Sequence, residues 1–262
     1  MKKLITVVLA LSMAFAFTGC AKKDGASKEN FLSYKGGEGK NWIIATDTVF
    51  KPFEYTNAKG DFVGIDVELL NAIAKDQKFN YDLQVLGWDA AVTAVQVGQA
   101  DAIIAGATIN DERKASGWKF SDGYYIASQT AVVAKDSKIA SFEDLKGKNV
   151  AVKNGTAGMS FANSLKDEYN FTITVFEDSP TMYQDVINGN SAACFEDTPI
   201  MANNIKEGVK LKIPEGMSGA EAPYGLAVMN NNNLELIEKF NAGLANIKAN
   251  GKYDEILNKY LK

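Results

Sequence analysis

Two stretches of this chain follow one plan, and that repetition limits the fold more than any other feature. Residues 91–103 read as a helix, a glycine stop at Gly98 and a small-residue strand; residues 183–193 read the same way around Gly189. Strand-like and helix-like segments alternate around each stretch. Residues 42–46, 81–86 and 101–105 have strand character. Between them run a helical stripe of Ile65, Leu69, Leu70 and Ile73 and a helix over 88–97 with Ala91, Val92 and Val95 on one face. The series then restarts. Residues 149–153, 171–176 and 191–196 are expected strands, and 156–166 is an expected helix. A further helix runs to Ile187, with Ser179 as its cap and Pro180 in its first turn, and another opens at Thr198-Pro199. Strands alternating with helices imply βαβ units and a mainly parallel sheet. The expected fold is therefore α/β, with two lobes.

Residues 234–247 and 253–261 are amphipathic, and the first lobe is the expected home of their apolar faces. The chain then crosses between lobes twice, near Ser128–Ala131 and near Glu221–Gly225. The first lobe takes residues 41–128 and 224–262, and the second takes 129–223. Ligands of open α/β sheets bind beyond the carboxyl ends of the strands. Two such edges facing one cleft suit hinge closure on a ligand.

The start of the chain bears on its compartment. Lys2 and Lys3 precede an apolar run over residues 4–17, too short for a membrane-spanning helix and of the length of a signal-peptide core. Phe17-Thr18-Gly19-Cys20 resembles a lipoprotein-processing box, with Phe17 where leucine is usual. Residues 1–19 are thus expected to be a signal peptide. Cys20 is expected to carry the lipid, and residues 20–40 to be a flexible, Lys-, Gly-, Ser- and Glu-rich tether. The other cysteine, Cys194, lies in an apolar run and reads as a small core residue. This places the protein outside the cytoplasm, anchored to the cell membrane; an ordinary secretory signal with an incidental Cys20 is the other reading.

Composition removes several functions. Without residues 1–19 the chain has 26 basic and 32 acidic residues, a net of −6, which argues against a nucleic-acid partner. The chain has no histidine, so Ser-His-Asp triads, Cys-His pairs and histidine zinc sites are excluded, and neither a P-loop nor a GxGxxG occurs. No metal or cofactor is expected. Of 28 basic residues, 27 are lysine and one is Arg113. A guanidinium grips a carboxylate with two parallel hydrogen bonds, as an ammonium cannot. A surface ion pair would explain the lone arginine equally well.

Four segments in order carry a resemblance. They are Asp47–Glu54 followed by Gly64–Leu69, Asp101–Ile109 with Arg113, Val150–Thr156, and Glu196–Pro199. Together they resemble the polar amino-acid-binding proteins of ABC importers, the bacterial extracellular solute-binding proteins of family 3, and among them the glutamine-binding branch. The resemblance runs from about Trp42 to the end. It implies the two-lobe periplasmic-binding-protein fold, an amino-acid ligand, permease partners in the membrane and a monomer. It also implies that Ala105 and Ala157 lie against the ligand.

The residues can be assigned roles on their chemistry. Arg113, in the first turn after a capping Asn110, would fork the ligand's α-carboxylate. The Thr108 hydroxyl and the Gly106 N–H would add donors, and Thr156 would present a helix N-terminus. Thr108 and Thr156 fit simple capping too. Asp197 would take the α-ammonium, or cap the helix that follows; Asp47 is the weaker second candidate. Phe50 and Trp88 would sandwich the side chain, or belong to the core. Lys153 donates and Glu196 accepts, which suits the carboxamide of glutamine. The glutamine-binding branch carries histidine where this chain has Glu196, and Glu196 would also suit arginine or another cationic side chain. The two residues could instead form a mutual salt bridge. Two other functions are open: a cyclohexadienyl-dehydratase-like enzyme with Glu196 as general acid, and the ligand-binding domain of a sensor.

Overall fold

The computed structural model describes residues 31–262. The expected signal peptide, Cys20 and most of the expected tether lie outside the described residues.

Two mixed sheets organise two lobes. The first sheet has the order Ser33–Tyr34, Phe79–Val85, Glu38–Thr46, Ala102–Ile103, Ala227–Val228, Lys119–Phe120. Glu38–Thr46 pairs in parallel with Phe79–Val85 and Ala102–Ile103, while the outer partners are antiparallel. The second runs Thr172–Phe176, Asn149–Lys153, Ala193–Asp197, Tyr125–Ala134, Leu211–Lys212. Its first three strands are parallel, and Tyr125–Ala134 joins them antiparallel. The returning strand Ser218–Tyr224 pairs with Tyr125–Ala134 as well. Both sheets combine a parallel βαβ centre with antiparallel partners, and in the second sheet these include the two strands that cross between the lobes, Tyr125–Ala134 and Ser218–Tyr224.

Helices cover both faces. In the first lobe Ile65–Gln77 buries Ile65, Leu69, Leu70 and Ile73, the stripe expected from sequence. Leu234–Ala249 packs on it through Leu236, Phe240 and Leu244, and Gly243 lets the two approach closely, because a Cβ there would lie 2.7 Å from Ile73 Cγ2. The other face carries Trp88–Gln96, which packs Ala91 and Val95 against Ala45 and Ile103. In the second lobe Ala157–Tyr169 covers Phe195 and Val152, and Ser179–Ile187 with Thr198–Lys206 covers Ala151, Val132 and Cys194. Cys194 is buried in that layer.

Three local differences from the sequence reading have plain causes. The expected tether ends early: Ser33 and Tyr34 pair with Asp82 and Tyr81, and Glu38–Lys40 open the strand Glu38–Thr46. Backbone pairing at a sheet edge needs no apolar period, so composition hid it. Asp178, not Ser179, caps Ser179–Ile187 by accepting from the Thr181 N–H. This frees Ser179 to bond Glu196. The first crossing begins at Tyr125, a little before the expected Ser128, and Tyr125 sits opposite Tyr224 of the second crossing.

Candidate functional site

Eleven residues from both lobes line one cavity: Asp47, Phe50, Trp88, Ala105, Gly106, Thr108, Arg113, Lys153, Thr156, Ala157 and Asp197. All of them were picked out from the sequence. Most sit at or just beyond a strand end or in the first turn of a helix, where the alternating fold brings loops together. Asp47 follows Glu38–Thr46, Lys153 ends its strand, and Asp197 ends Ala193–Asp197. Trp88 begins a helix, and Thr156 caps one by accepting from the Met159 N–H.

Arg113 is held from every side. Its helix Asp111–Ala115 is capped by Asn110, whose Oδ1 accepts from the Arg113 N–H. Its guanidinium donates to Thr108 O at 2.9 Å and to Gly155 O at 3.2 Å. Trp88 and Trp118 flank it at 4.8 and 5.0 Å. Trp118 had no signal in the sequence beyond its proximity to Arg113. Burial lowers the guanidinium pKa to about 10, so it stays charged at neutral pH. Two of five donors serve the protein, which leaves the remainder for an anion.

Asp197 stands opposite in charge. Its Oδ1 accepts from Gln129 Nε2 at 2.5 Å and from the Tyr224 hydroxyl at 2.8 Å. Although it occupies the N-cap position of Thr198–Lys206, its side chain makes no cap bond. Burial first, and Glu196 second, push its pKa up to about 7. A cation brought to Asp197 would remove much of that cost.

Lys153 and Asp47 form a buried ion pair across the cleft, Nζ to Oδ2 at 2.6 Å. Lys153 therefore answers Asp47, not Glu196. The remaining Asp47 oxygen accepts from the Thr48 N–H.

Glu196 does not line the cavity. Its Oε2 accepts from Ser179 Oγ and the Tyr183 hydroxyl, and its Oε1 accepts from the Asp197 N–H. Successive strand residues point to opposite faces, so Glu196 and Asp197 cannot share one.

The Gly106 N–H is also committed elsewhere: it donates to Asp66 Oδ2 at 2.7 Å, and the Tyr124 hydroxyl donates to the same oxygen. Asp66 and Glu54 are fully buried, and burial raises both pKa values, Asp66 to about 6 and Glu54 well above the ordinary range. Asp66 Oδ1 and both Glu54 oxygens meet no donor when the two are ionised. A proton on Glu54, donated to Asp66, removes the Glu54 charge and gives Asp66 Oδ1 a donor. Gly106 contributes shape to the cavity. Its φ is +54°, and a Cβ there would lie 2.4 Å from the Phe50 ring.

The lobes are closed on each other. Arg113 and Trp88 Nε1 both donate to Gly155 O, Asn154 donates to Asp89, Ser160 donates to Glu112, and Lys51 pairs with Glu207. Among the described residues no His/Cys/Asp/Glu group could hold a metal ion, and no helix is long and apolar enough to cross a membrane. What the cavity offers is a fixed cation at Arg113, a carboxyl at Asp197 that an arriving cation would ionise, and the mutually neutralising Lys153–Asp47 pair between aromatic walls.

Comparison with known proteins agrees with this geometry. The profile of the bacterial extracellular solute-binding proteins, family 3, matches residues 42–262. A probable histidine-binding protein of Neisseria gonorrhoeae is 32% identical over 99% of this chain and 96% of its own. The second substrate-binding domain of Lactococcus lactis GlnP, solved open, is 40% identical over 88% of this chain and 98% of that domain, with a TM-score of 0.58. Ancestral arginine-binding proteins have been solved with arginine and with glutamine. Each is 33% identical with a TM-score of 0.76, over 85% and 87% of this chain and 98% of theirs. The lower overlap with GlnP, despite its higher identity, accords with open lobes there and closed lobes here.

Proposed function

We propose that this chain, which belongs to family 3 of the bacterial extracellular solute-binding proteins, binds L-glutamine between its lobes for delivery to an ABC importer. The observation that carries the choice of ligand is the Lys153–Asp47 pair. Once an α-carboxylate lies on Arg113 and an α-ammonium on Asp197, the only charges left on the cavity wall are Lys153 and Asp47, which cancel. A carboxamide can accept from one and donate to the other. A cationic side chain would find no unpaired carboxylate, since Asp47 is taken and Glu196 is turned away and saturated.

Arginine is the second reading. It is favoured by the arginine-bound ancestral protein, whose counterpart of equal identity holds glutamine. Calorimetric titration with L-glutamine, L-arginine and L-histidine separates the two. Glutamine should bind tightest, and Arg113→Ala should lose most of that affinity, because charged hydrogen bonds contribute about 1.5–3 kcal/mol each. Tighter binding of arginine by the wild-type protein would overturn the choice of glutamine. Unchanged affinity in Arg113→Ala would overturn the carboxylate assignment.

Binding rather than catalysis is supported by the position of Glu196. The residue suited to a general acid bonds Ser179 and Tyr183 outside the cavity. Extracytoplasmic placement and a lipid anchor rest on residues 1–20, with Cys20 as the acylated residue. A diacylglyceryl group has two chains, enough for stable anchoring. Cys20→Ser should release the protein from the membrane fraction.

A further inference from the structure

Two side chains that hold Asp197 come from the two strands that cross between the lobes. Gln129 lies on Tyr125–Ala134, directly opposite Asp197 in the register. Tyr224 ends Ser218–Tyr224, opposite Tyr125. Both donate to the same oxygen, Oδ1. Among the described residues no donor is seen on Oδ2.

Tyr224 reaches further. Its carbonyl accepts from the Tyr124 N–H, its neighbour Pro223 accepts from the Ile109 N–H, and the Gly225 N–H donates to Ala107 O. It also forms an isolated bridge with Thr108. Thr108 in turn accepts from Arg113. One residue therefore ties its backbone to the segment carrying the guanidinium and its hydroxyl to the carboxylate. The ring is locked in place: Tyr125 stacks on it at 5.9 Å and Phe53 meets it edge-on at 5.1 Å.

We propose that Gln129 and Tyr224 are positioning residues for ammonium capture. By occupying Oδ1 from both hinge strands they fix the Asp197 carboxylate with Oδ2 toward the cavity, and they link its placement to the angle between the lobes. The inference rests on Asp197 as the ammonium site of the proposed amino-acid ligand. The groups that face Asp197 and set its charge are Glu196, Arg113, Tyr224 and Gln129. Of these, Tyr224 and Gln129 donate hydrogen bonds to the ionised form. Removing a donor to the ionised form raises an acid's pKa.

Tyr224→Phe and Gln129→Met each keep shape and remove one donor; the second leaves the hinge aromatics untouched should the first fail to fold. Two readouts decide. The first is the titration of Asp197 in the ligand-free protein, followed by carboxyl ¹³C NMR and assigned with Asp197→Asn. The second is glutamine affinity by calorimetry. The expected result is a titration displaced to higher pH in each variant, with glutamine binding weakened by about tenfold or more. An Asp197 titration that matches the wild type in the folded variants overturns the proposal. If glutamine does not bind the wild type, the proposed ligand falls, and the titration still decides the roles of Gln129 and Tyr224.

Discussion

Glu196 and Asp197 are adjacent, both acidic and both buried, yet they do different work. Asp197 faces the cavity and Arg113, whereas Glu196 sits behind the strand with three donors. Substitution should separate them. Asp197→Asn removes the charge that meets an ammonium and should weaken amino-acid binding about 10- to 100-fold, from about 1.5–3 kcal/mol per charged hydrogen bond. Glu196→Gln places an amide among donors that need an acceptor. It should lower stability by about 1–3 kcal/mol while affinity near pH 8 changes little. Calorimetry and chemical denaturation of both variants check this. A larger affinity loss in Glu196→Gln would return Glu196 to the binding surface. Residue chemistry together with the family resemblance picked out Arg113, Asp197, Phe50, Trp88 and Lys153 as cavity candidates. The strand period would have excluded Glu196, because neighbours in a strand cannot share a face. The Lys153–Asp47 pairing was not legible, since it depends on which side chains meet once the lobes close.

At the scale of elements, the alternation of strands and helices was readable from periodicity and from the glycine stops. The outer antiparallel pairs were not, because two-residue strands such as Lys119–Phe120 and Ala227–Val228 carry no period. The segment after Ala102–Ile103 shows what a single turn residue does. Gly106 adopts φ +54°, and its N–H is held by Asp66 while its Cα faces the Phe50 ring. Gly106→Ala is therefore expected to act twice. A left-handed φ is strained for alanine, and the new methyl displaces the Phe50 ring, part of the cavity wall. Glutamine affinity should fall by more than about tenfold, with a loss of roughly 1–2 kcal/mol in stability. Equilibrium unfolding and calorimetry on this one variant test both. Wild-type affinity would show that Phe50 moves without narrowing the cavity.

For the whole molecule, the same buried acids link protonation to folding and to the ligand. Asp66 near 6, Asp197 near 7 and Glu54 well above its ordinary value all lie higher than in an unfolded chain. A folded state that binds more protons than the unfolded state loses stability as pH rises. Between about pH 4 and pH 7 the ligand-free protein should therefore become less stable with increasing pH. Groups with lowered values, such as Asp82, act only below about pH 4. The ligand reverses the trend at one site. An α-ammonium prefers ionised Asp197, so glutamine should raise the melting temperature more at about pH 8 than at about pH 5. Asp66→Asn should flatten the ligand-free slope and leave the ligand-dependent gain in place, because Asp66 holds Gly106 and Tyr124 rather than the ligand. Melting curves with and without glutamine across that range distinguish the two linkages. A ligand-free stability that rises through the window would mean that Glu54 and Asp66 are both ionised in the fold, and the shared proton between them would have to be abandoned.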